Sequence, residues 1–210
     1  CVMQIPYLEP VFRPPSEAYS LILQVTIGCS WNQCTFCEMY TQPQKQFRFK
    51  PIEKIELELE AIARSGAPVR RIFLADGDAM TLSFRRLKMI MEAINKHLPG
   101  VQRVSSYCLP RNIKNKTVAE MAELNDLGLS LYYVGCESGD NLVLERVNKG
   151  EDFDSSLAAL QKIKAAGAKS SVMILNGLGG KPYSEQHAVH SARLMSVAPP
   201  AYRATLVVRL

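Results

Sequence analysis

The sequence is short of several features that would assign a protein to a class at once. It has no apolar run of about 18 residues, the length that a membrane-spanning helix needs. It has no internal repeat and no low-complexity tract, and its start lacks the charged and apolar segments of a signal peptide. The net charge of +5 is too mild to establish a nucleic-acid partner, although it does not exclude one. We therefore expect a globular protein that neither crosses nor binds a membrane.

The sequence has fewer cysteines than a disulfide-rich protein, and their distribution matters more than their number. Six cysteines in 210 residues are too few for a secreted disulfide scaffold. Three of them, Cys29, Cys34 and Cys37, fall within nine residues. Such clustering is typical of metal binding in a reducing compartment, so we expect a cytoplasmic protein.

Apolar runs alternate with amphipathic helical patterns along most of the chain. The proline-rich residues 1–20 predict an extended lead-in, and residues 21–210 predict one core domain, which we expect to be incomplete at its C-terminus. The strand candidates are continuous apolar runs, as in parallel strands buried on both faces, at residues 21–27, 69–75, 101–108, 129–136, 169–176 and 202–209. Gly66 is expected to end the first helix and Ser184 to cap the last.

These repeated strand–helix units predict an α/β fold with right-handed crossovers. Six units predict a parallel (β/α)6 partial TIM-like barrel, and a doubly wound open sheet is the alternative. In both, chemistry belongs at the C-terminal ends of the strands. The cysteine cluster directly follows the first strand, which is where such a site is expected.

Four residues separate Cys29 from Cys34, and two separate Cys34 from Cys37. Thiolates suit iron–sulfur clusters or zinc. Three cysteines can hold three corners of a [4Fe–4S] cube and leave the fourth iron open for a ligand. A closed zinc site needs a fourth ligand, and the three histidines lie far along the chain. Structural zinc and unbound thiols stay open as alternatives.

The cluster resembles that of the radical S-adenosylmethionine (SAM) superfamily, in which three residues and then two separate the cysteines. Phe36 supplies the aromatic residue that precedes the last cysteine, and the departure is one additional residue after Cys29. Four further segments match the family in order, and two of them resemble its coproporphyrinogen-oxidase-like and methylthiotransferase-like branch: residues 74–78 (LADGD), 134–139 (VGCESG), 144–150 (LERVNKG) and 176–180 (NGLGG).

This resemblance implies an enzyme that cleaves SAM reductively to a 5′-deoxyadenosyl radical, which takes hydrogen from a substrate. It implies two cofactors, a [4Fe–4S] cluster and SAM, and an external one-electron reductant of the flavodoxin or ferredoxin type. Lys149 stands where an arginine is usual, and Arg111 is the other candidate partner for the carboxylate of SAM. The residues implied to bind SAM are Phe36, Gly77, Asp78, Glu137, Lys149 and Gly177.

Other interpretations remain open. The enzyme could modify tRNA, and a non-catalytic iron–sulfur or zinc module is the alternative outside the enzyme class. Cys108 and Cys136 end two strands and could contact substrate, although buried cysteine is more often a small apolar residue. Residues 45–50 interleave basic and aromatic side chains, which suits either a covering loop or a nucleic-acid contact. The substrate cannot be inferred from the sequence.

Overall fold

A computed structural model describes residues 5–207. The strands are β1 (Leu21–Gln24), β2 (Thr26–Ile27), β3 (Arg48–Phe49), β4 (Arg71–Ala75), β5 (Arg103–Cys108), β6 (Leu129–Glu137), β7 (Lys169–Asn176) and β8 (Tyr202–Val207). The helices are α1 (Ile52–Ser65), α2 (Phe84–His97), α3 (Val118–Asp126), α4 (Asn141–Arg146), α5 (Phe153–Ala165) and α6 (Gly180–Val197).

Six strands form one parallel sheet in the order β1-β4-β5-β6-β7-β8. Each new strand joins the same side of the sheet, as in a barrel, whereas a doubly wound sheet reverses its order part-way. The predicted (β/α)6 partial barrel is therefore confirmed. The last strand was predicted to extend to residue 209, and residues 208 and 209 lie outside the described part of the chain. The division of the chain at residue 20 stays a prediction.

The first predicted strand is broken in the structure. The amide of Val25 donates to Ala75 at 2.7 Å, but its carbonyl accepts from Lys50 at 3.0 Å. Thr26 and Ile27 therefore leave the parallel sheet and pair antiparallel with β3. In this small ribbon the second strand, β3, lies within residues 45–50, for which a covering loop was one of two interpretations, and the first strand, β2, directly precedes the cysteine loop.

Local sequence explains most helix ends. Gly66 closes α1 with a φ of 69°, a conformation that glycine adopts without steric cost. Ser83 caps α2, its side chain accepting from the amide of Arg86. The prediction for α6 was wrong at its start, because the helix begins at Gly180 and Ser184 lies inside it. No described helix has the length and apolarity needed to cross a membrane.

The two faces of the sheet have different cores. The larger core lies between the strands and the helices and includes Cys108 and Cys136, both about 1% exposed. Burial raises the pKa of Cys136 to about 12. These two cysteines therefore act as small apolar residues facing the helices. The inner face carries a smaller cluster, with Phe73, Leu131 and Tyr133.

The lead-in packs against the inner face and helps to close one end of the barrel. Val11 packs on the inner cluster, and Glu17 is fully buried toward the N-terminal ends of the strands. The carboxylate of Glu17 accepts hydrogen bonds at 2.6 Å from Arg103 and from the Tyr133 hydroxyl. The opposite edge, at the C-terminal ends of the strands, carries the cysteine loop.

Candidate radical SAM site

The three cysteines lie on the irregular loop that follows β2. Cys29, Cys34 and Cys37 are each partly exposed and form no disulfide. The loop begins at Gly28, where φ is 73° and where a Cβ would overlap the carbonyl of Lys45. Only glycine fits both the backbone conformation and the close approach. The start of the cysteine loop is thereby fixed against the segment that leads to β3.

A carboxylate after β4 binds the base of this loop. Asp76 is fully buried and accepts from the Gly28 amide at 2.9 Å and from the Gln24 side chain at 3.1 Å. Lys45 is also buried, with Nζ 2.9 Å from an oxygen of Asp76 and 2.5 Å from the carbonyl of Leu8. This ion pair connects the lead-in, β1 and the cysteine loop. Lys45 is therefore not available for the nucleic-acid contact that its basic stretch suggested.

The second carboxylate after β4 is Asp78, which also has no exposed surface. Its oxygens accept from the Ser30 amide at 3.2 Å, from the Thr81 hydroxyl at 2.9 Å, and from the Ser30 hydroxyl. Burial raises the pKa of Asp78, and these hydrogen bonds oppose the shift. We call Asp76, Asp78 and their partners the β4 flank. Every carboxylate oxygen in it is hydrogen-bonded to protein.

The end of β6 brings Glu137 to the same edge. The register between β6 and β7 shifts between Gly135 and Glu137, as in a β-bulge, and Glu137 has a φ of 65°. A non-glycine residue in this region is uncommon, and such conformations concentrate at functional sites. A Cβ at Gly135 would lie 2.5 Å from the Glu137 carboxylate. The glycine therefore leaves the space that this side chain occupies.

Glu137 pairs with Lys149, which follows α4. Nζ lies 3.4 Å from Oε1, and the side chains are 9% and 4% exposed. Within residues 5–207, Oε2 of Glu137 has no hydrogen-bond partner, and the ammonium makes only this one long bond. Burial raises the pKa of Glu137, and the ammonium opposes the shift. We call Gly135, Glu137 and Lys149 the β6 flank, and it has unused donors and acceptors.

The β6 flank adjoins the cysteines. Burial raises the pKa of Cys34, and the Lys149 ammonium is the largest influence in the opposite direction. The same ammonium lies 5.9 Å from the ring centre of Phe36. Phe36 packs on an apolar cluster made by Val143, Val147, Leu175 and Leu178. Gly177 follows β7 with a φ of 86°, and its carbonyl accepts from the amide at the start of α6 at 2.9 Å.

Tyr40 is a site residue that the sequence did not indicate. Its ring occupies the space beside Gly77, where a Cβ would lie 2.6 Å from Cε2. Its hydroxyl is buried and has no hydrogen-bond partner in the described part of the chain. The Phe12 ring of the lead-in meets it edge-to-face at 5.6 Å. The glycine-rich turn predicted Gly77, but no pattern predicted which side chain fills the space it leaves.

Arg111, the other candidate partner for a cofactor carboxylate, already has partners. Its guanidinium lies 4.0 Å from the Trp31 ring centre, and Nε donates to Glu151 at 2.8 Å. Of the two candidate cations, Lys149 therefore has more unused donors among the described residues.

The residues at this edge fit an iron–sulfur cluster. Burial raises the pKa of Cys29 to about 11, so binding as a thiolate releases a proton. Among the described residues, no three His, Cys, Asp or Glu side chains lie close enough to share one metal ion, as a structural zinc site requires. In a cubane cluster each thiolate binds a different iron, so the three sulfurs need not converge on one atom.

Known proteins share this arrangement of strands and loops. Residues 23–195 match the family model of the Radical SAM superfamily. The chain is 22% identical over 163 residues to the heme chaperone HemW of Bacillus subtilis, an alignment that covers 76% of this chain and 42% of HemW.

Solved structures show the same fold. Coproporphyrinogen III oxidase (HemN) from Escherichia coli superimposes with a TM-score of 0.68 at 16% identity, over 90% of this chain and 44% of HemN. The methyltransferase TsrM from Kitasatospora setae, solved with cobalamin and a [4Fe–4S] cluster, gives 0.69 at 17% identity, over 91% of this chain and 37% of TsrM. The chain thus spans less than half the length of each of these proteins. Since the family model matches most of the chain, the chain belongs to the Radical SAM superfamily.

Proposed function

We propose that this chain is the cofactor-binding core of a radical SAM enzyme, in which Cys29, Cys34 and Cys37 bind a [4Fe–4S] cluster. The observation that carries the proposal is the position of the unsatisfied Glu137–Lys149 pair beside these thiols, at the C-terminal edge of the sheet. Buried polar groups in native proteins are normally hydrogen-bonded, so an unpaired carboxylate oxygen beside the thiols suits a ligand that carries hydrogen-bond donors.

The charges of the β6 flank complement the amino-acid end of SAM. Oε2 of Glu137 would accept a hydrogen bond from the ammonium or a ribose hydroxyl, and Lys149 would donate to the carboxylate. Phe36 would pack near the adenine, beside the turn at Gly177. Gly77 and Asp78 would contribute from the β4 flank, Asp78 by holding Ser30, since its oxygens already have partners. When bound, the two cofactors would supply reductive cleavage of SAM: one electron from the external reductant passes through the cluster to the sulfonium, its bond to the 5′ carbon breaks, and methionine and a 5′-deoxyadenosyl radical result.

The proposal includes partners that the chain itself does not hold. The cluster needs a one-electron reductant, for which a flavodoxin- or ferredoxin-type protein is suited, and a reducing compartment such as the cytoplasm. The substrate is unidentified. We do not extend the proposal to tRNA, because the only basic–aromatic stretch that suggested a nucleic acid has Lys45 buried in an ion pair.

The test is anaerobic reconstitution with iron and sulfide, followed by SAM and dithionite. We expect a [4Fe–4S] spectrum, a change in that spectrum when SAM is added, and release of methionine and 5′-deoxyadenosine. The matched control is Cys34→Ala, treated identically. A loaded wild-type protein that neither responds to SAM nor cleaves it would overturn the proposal.

A further inference from the structure

The four-residue spacer between Cys29 and Cys34 is bonded to the turn that follows α4. Nε1 of Trp31 donates to the carbonyl of Asn148 at 2.8 Å, and the Asn148 side chain donates to the carbonyl of Gln33 at 3.2 Å. Just beyond Cys34, the amide of Thr35 donates to the carbonyl of Val147 at 3.0 Å. The loop that holds the thiols is thus docked along its length on residues 147–148.

Arg111 closes this contact from a third segment, the short helical turn after β5. Its guanidinium lies 4.0 Å from the centre of the Trp31 ring, at the distance of a cation–π contact. The same group donates to the carbonyls of Gly150 at 2.5 Å and Lys149 at 3.1 Å. A Cβ at Gly150 would overlap both the guanidinium and the Trp31 ring. Glycine at this position is therefore a condition of the contact.

Glu151 fixes Arg111 in turn. One of its oxygens accepts from the Arg111 amide at 3.0 Å and from Nε at 2.8 Å, and the other accepts from the Ser155 hydroxyl at 2.7 Å. The Glu151 side chain is 3% exposed and that of Arg111 is 28% exposed. Because the Arg111 guanidinium contacts both the Glu151 carboxylate and the Trp31 ring, it has little freedom to turn toward another ligand.

We propose that Arg111 and Trp31 are positioning residues for the iron–sulfur cluster, which place the enlarged cysteine loop against the turn that carries Lys149. We call this set of contacts, Trp31–Arg111–Glu151 with Gly150, the loop latch. The proposal rests on the proposed function above. The loop latch ties the backbone of Lys149 to the cysteine loop, so one set of contacts sets the spacing between the thiols and the cation beside Cys34.

The additional residue in the spacer explains why such contacts are needed. A longer loop has more conformations, and Asn32 and Asn148 both adopt left-handed backbone, with φ of 46° and 51°. Loop positions of this kind persist only when surrounding contacts hold them. Residues that orient metal ligands without binding the metal typically change metal affinity or activity by about 10- to 100-fold when replaced. We expect an effect of that order here.

The experiment compares Arg111→Lys, Trp31→Leu and Trp31→Phe with the wild-type protein after anaerobic reconstitution. Two quantities are measured, the rate at which EDTA removes iron and the affinity for SAM from the change in the reduced cluster's EPR spectrum. Lysine keeps the charge but loses the planar fork, so we expect about tenfold faster iron loss and about tenfold weaker SAM binding. Trp31→Phe keeps an aromatic ring in contact with the Arg111 guanidinium, so its rate of iron loss and its affinity for SAM should be closer to wild type than those of Trp31→Leu.

Two further variants make the result specific. Arg193→Lys is the matched control, because Arg193 lies 5.2 Å from the Phe153 ring between the outer helices, and it should behave as wild type. Glu151→Gln loosens Arg111 without altering the cysteine loop, and it serves if a Trp31 variant fails to fold. We expect iron loss to accelerate about tenfold in it too, while the melting temperature of the metal-free protein falls by only about 2–4 °C, because the amide oxygen still accepts from Arg111.

Wild-type rates and affinities in Arg111→Lys and Glu151→Gln would overturn the loop latch. So would failure of Trp31→Phe to perform better than Trp31→Leu. A wild-type protein that holds a cluster but does not respond to SAM would contradict the proposed function alone, since iron loss still tests the loop latch. A wild-type protein that binds no cluster would overturn both.

Discussion

The two flanks of the cysteine loop both contain buried carboxylates, but they differ in whether the carboxylate oxygens have hydrogen-bond partners. On the β4 flank, Asp76 and Asp78 are fully buried, and each of their oxygens accepts a hydrogen bond from protein. On the β6 flank, Glu137 is almost as deeply buried, but one oxygen has no partner among residues 5–207, and its lysine stands 3.4 Å away. Both flanks pair a carboxylate with a buried lysine, so charge and burial alone do not distinguish them.

The difference lies in unused hydrogen-bonding capacity. A buried acceptor without a partner costs about 1–3 kcal/mol, a cost that binding of a ligand with hydrogen-bond donors would remove. We therefore interpret the β4 flank, whose carboxylate oxygens all have partners, as a structural element that holds the base of the cysteine loop. We interpret the β6 flank, which has an unpaired oxygen, as the binding surface for a polar ligand.

The largest effect is expected at the thiols that lie between the two flanks. Cys34→Ala should abolish the cluster, because only two thiolates of the predicted set remain. Cys136→Ala should keep it, since Cys136 faces the helices and is 1% exposed. The iron and sulfide content per protein after anaerobic reconstitution, together with the visible absorbance of the cluster, measures both effects. Equal loss in the two variants would contradict the three-ligand assignment.

The second prediction concerns the structural role of the β4 flank. Lys45→Met leaves Asp76 buried without its ion-pair partner, and breaking a buried pair in this way typically costs about 3–5 kcal/mol. Denaturant unfolding of the metal-free protein measures the loss. The control is Arg64→Met, which removes an exposed ion pair with Glu60 and should have no measurable effect. Similar stability of both variants would show that the β4 flank does not hold the loop.

The third prediction tests the β6 flank as a binding surface. Glu137→Gln keeps the shape of the side chain and an acceptor for Lys149 but removes the negative charge. A charge-assisted hydrogen bond contributes about 1.5–3 kcal/mol, so SAM should bind about 10- to 150-fold more weakly. Equilibrium titration of reconstituted protein, at iron content matched to wild type, measures the change. Unchanged affinity would return Glu137 to a structural ion pair with Lys149.

The fold was predictable because its signals are local and repeated. Continuous apolar runs and glycines such as Gly66 predicted six parallel strands and their helices. Right-handed crossovers suit both a barrel and a doubly wound sheet, and the strand order in the structure decides for the barrel. The errors occurred where tertiary contacts override the pattern. The run at 21–27 looks like one strand, but pairing with β3 draws its last two residues out of the sheet. α6 begins four residues before Ser184, at a glycine with no capping side chain.

The site was predictable only as far as motifs and strand ends reach. They placed Asp78 and Glu137 at the edge that carries the cysteines, because parallel strands end together, whereas Lys149 was named only by the family resemblance. They could not show that Arg111 faces Trp31 and Glu151, or that Lys45 is buried, since these contacts join residues that lie 31 to 80 positions apart in the sequence. The two flanks differ in how many carboxylate oxygens are hydrogen-bonded. That number depends on the folded structure and cannot be inferred from the spacing of residues in the sequence.

The smallest effect on SAM affinity is expected at Asp78, and it is the sharpest test of the comparison. Asn at this position keeps one oxygen for the Ser30 amide, and its amide group can donate to the Ser30 and Thr81 hydroxyls, which accept as well as donate. The variant should therefore fold, with a stability loss of about 1 kcal/mol from the weaker uncharged bonds.

If the Asp78 carboxylate only holds Ser30 beside Cys29, removing its charge should weaken SAM binding by less than about threefold, well below one decade in affinity. If instead it turns to the ammonium when the cofactor binds, its loss should equal that of Glu137→Gln, measured by the same titration at matched iron. The two outcomes differ because a carboxylate with every oxygen in use must break bonds to Ser30 and Thr81 before it can serve a ligand, whereas the free oxygen of Glu137 has no bond to break. A loss as large in Asp78→Asn as in Glu137→Gln would therefore show that saturation in the ligand-free protein does not mark a structural carboxylate at this edge.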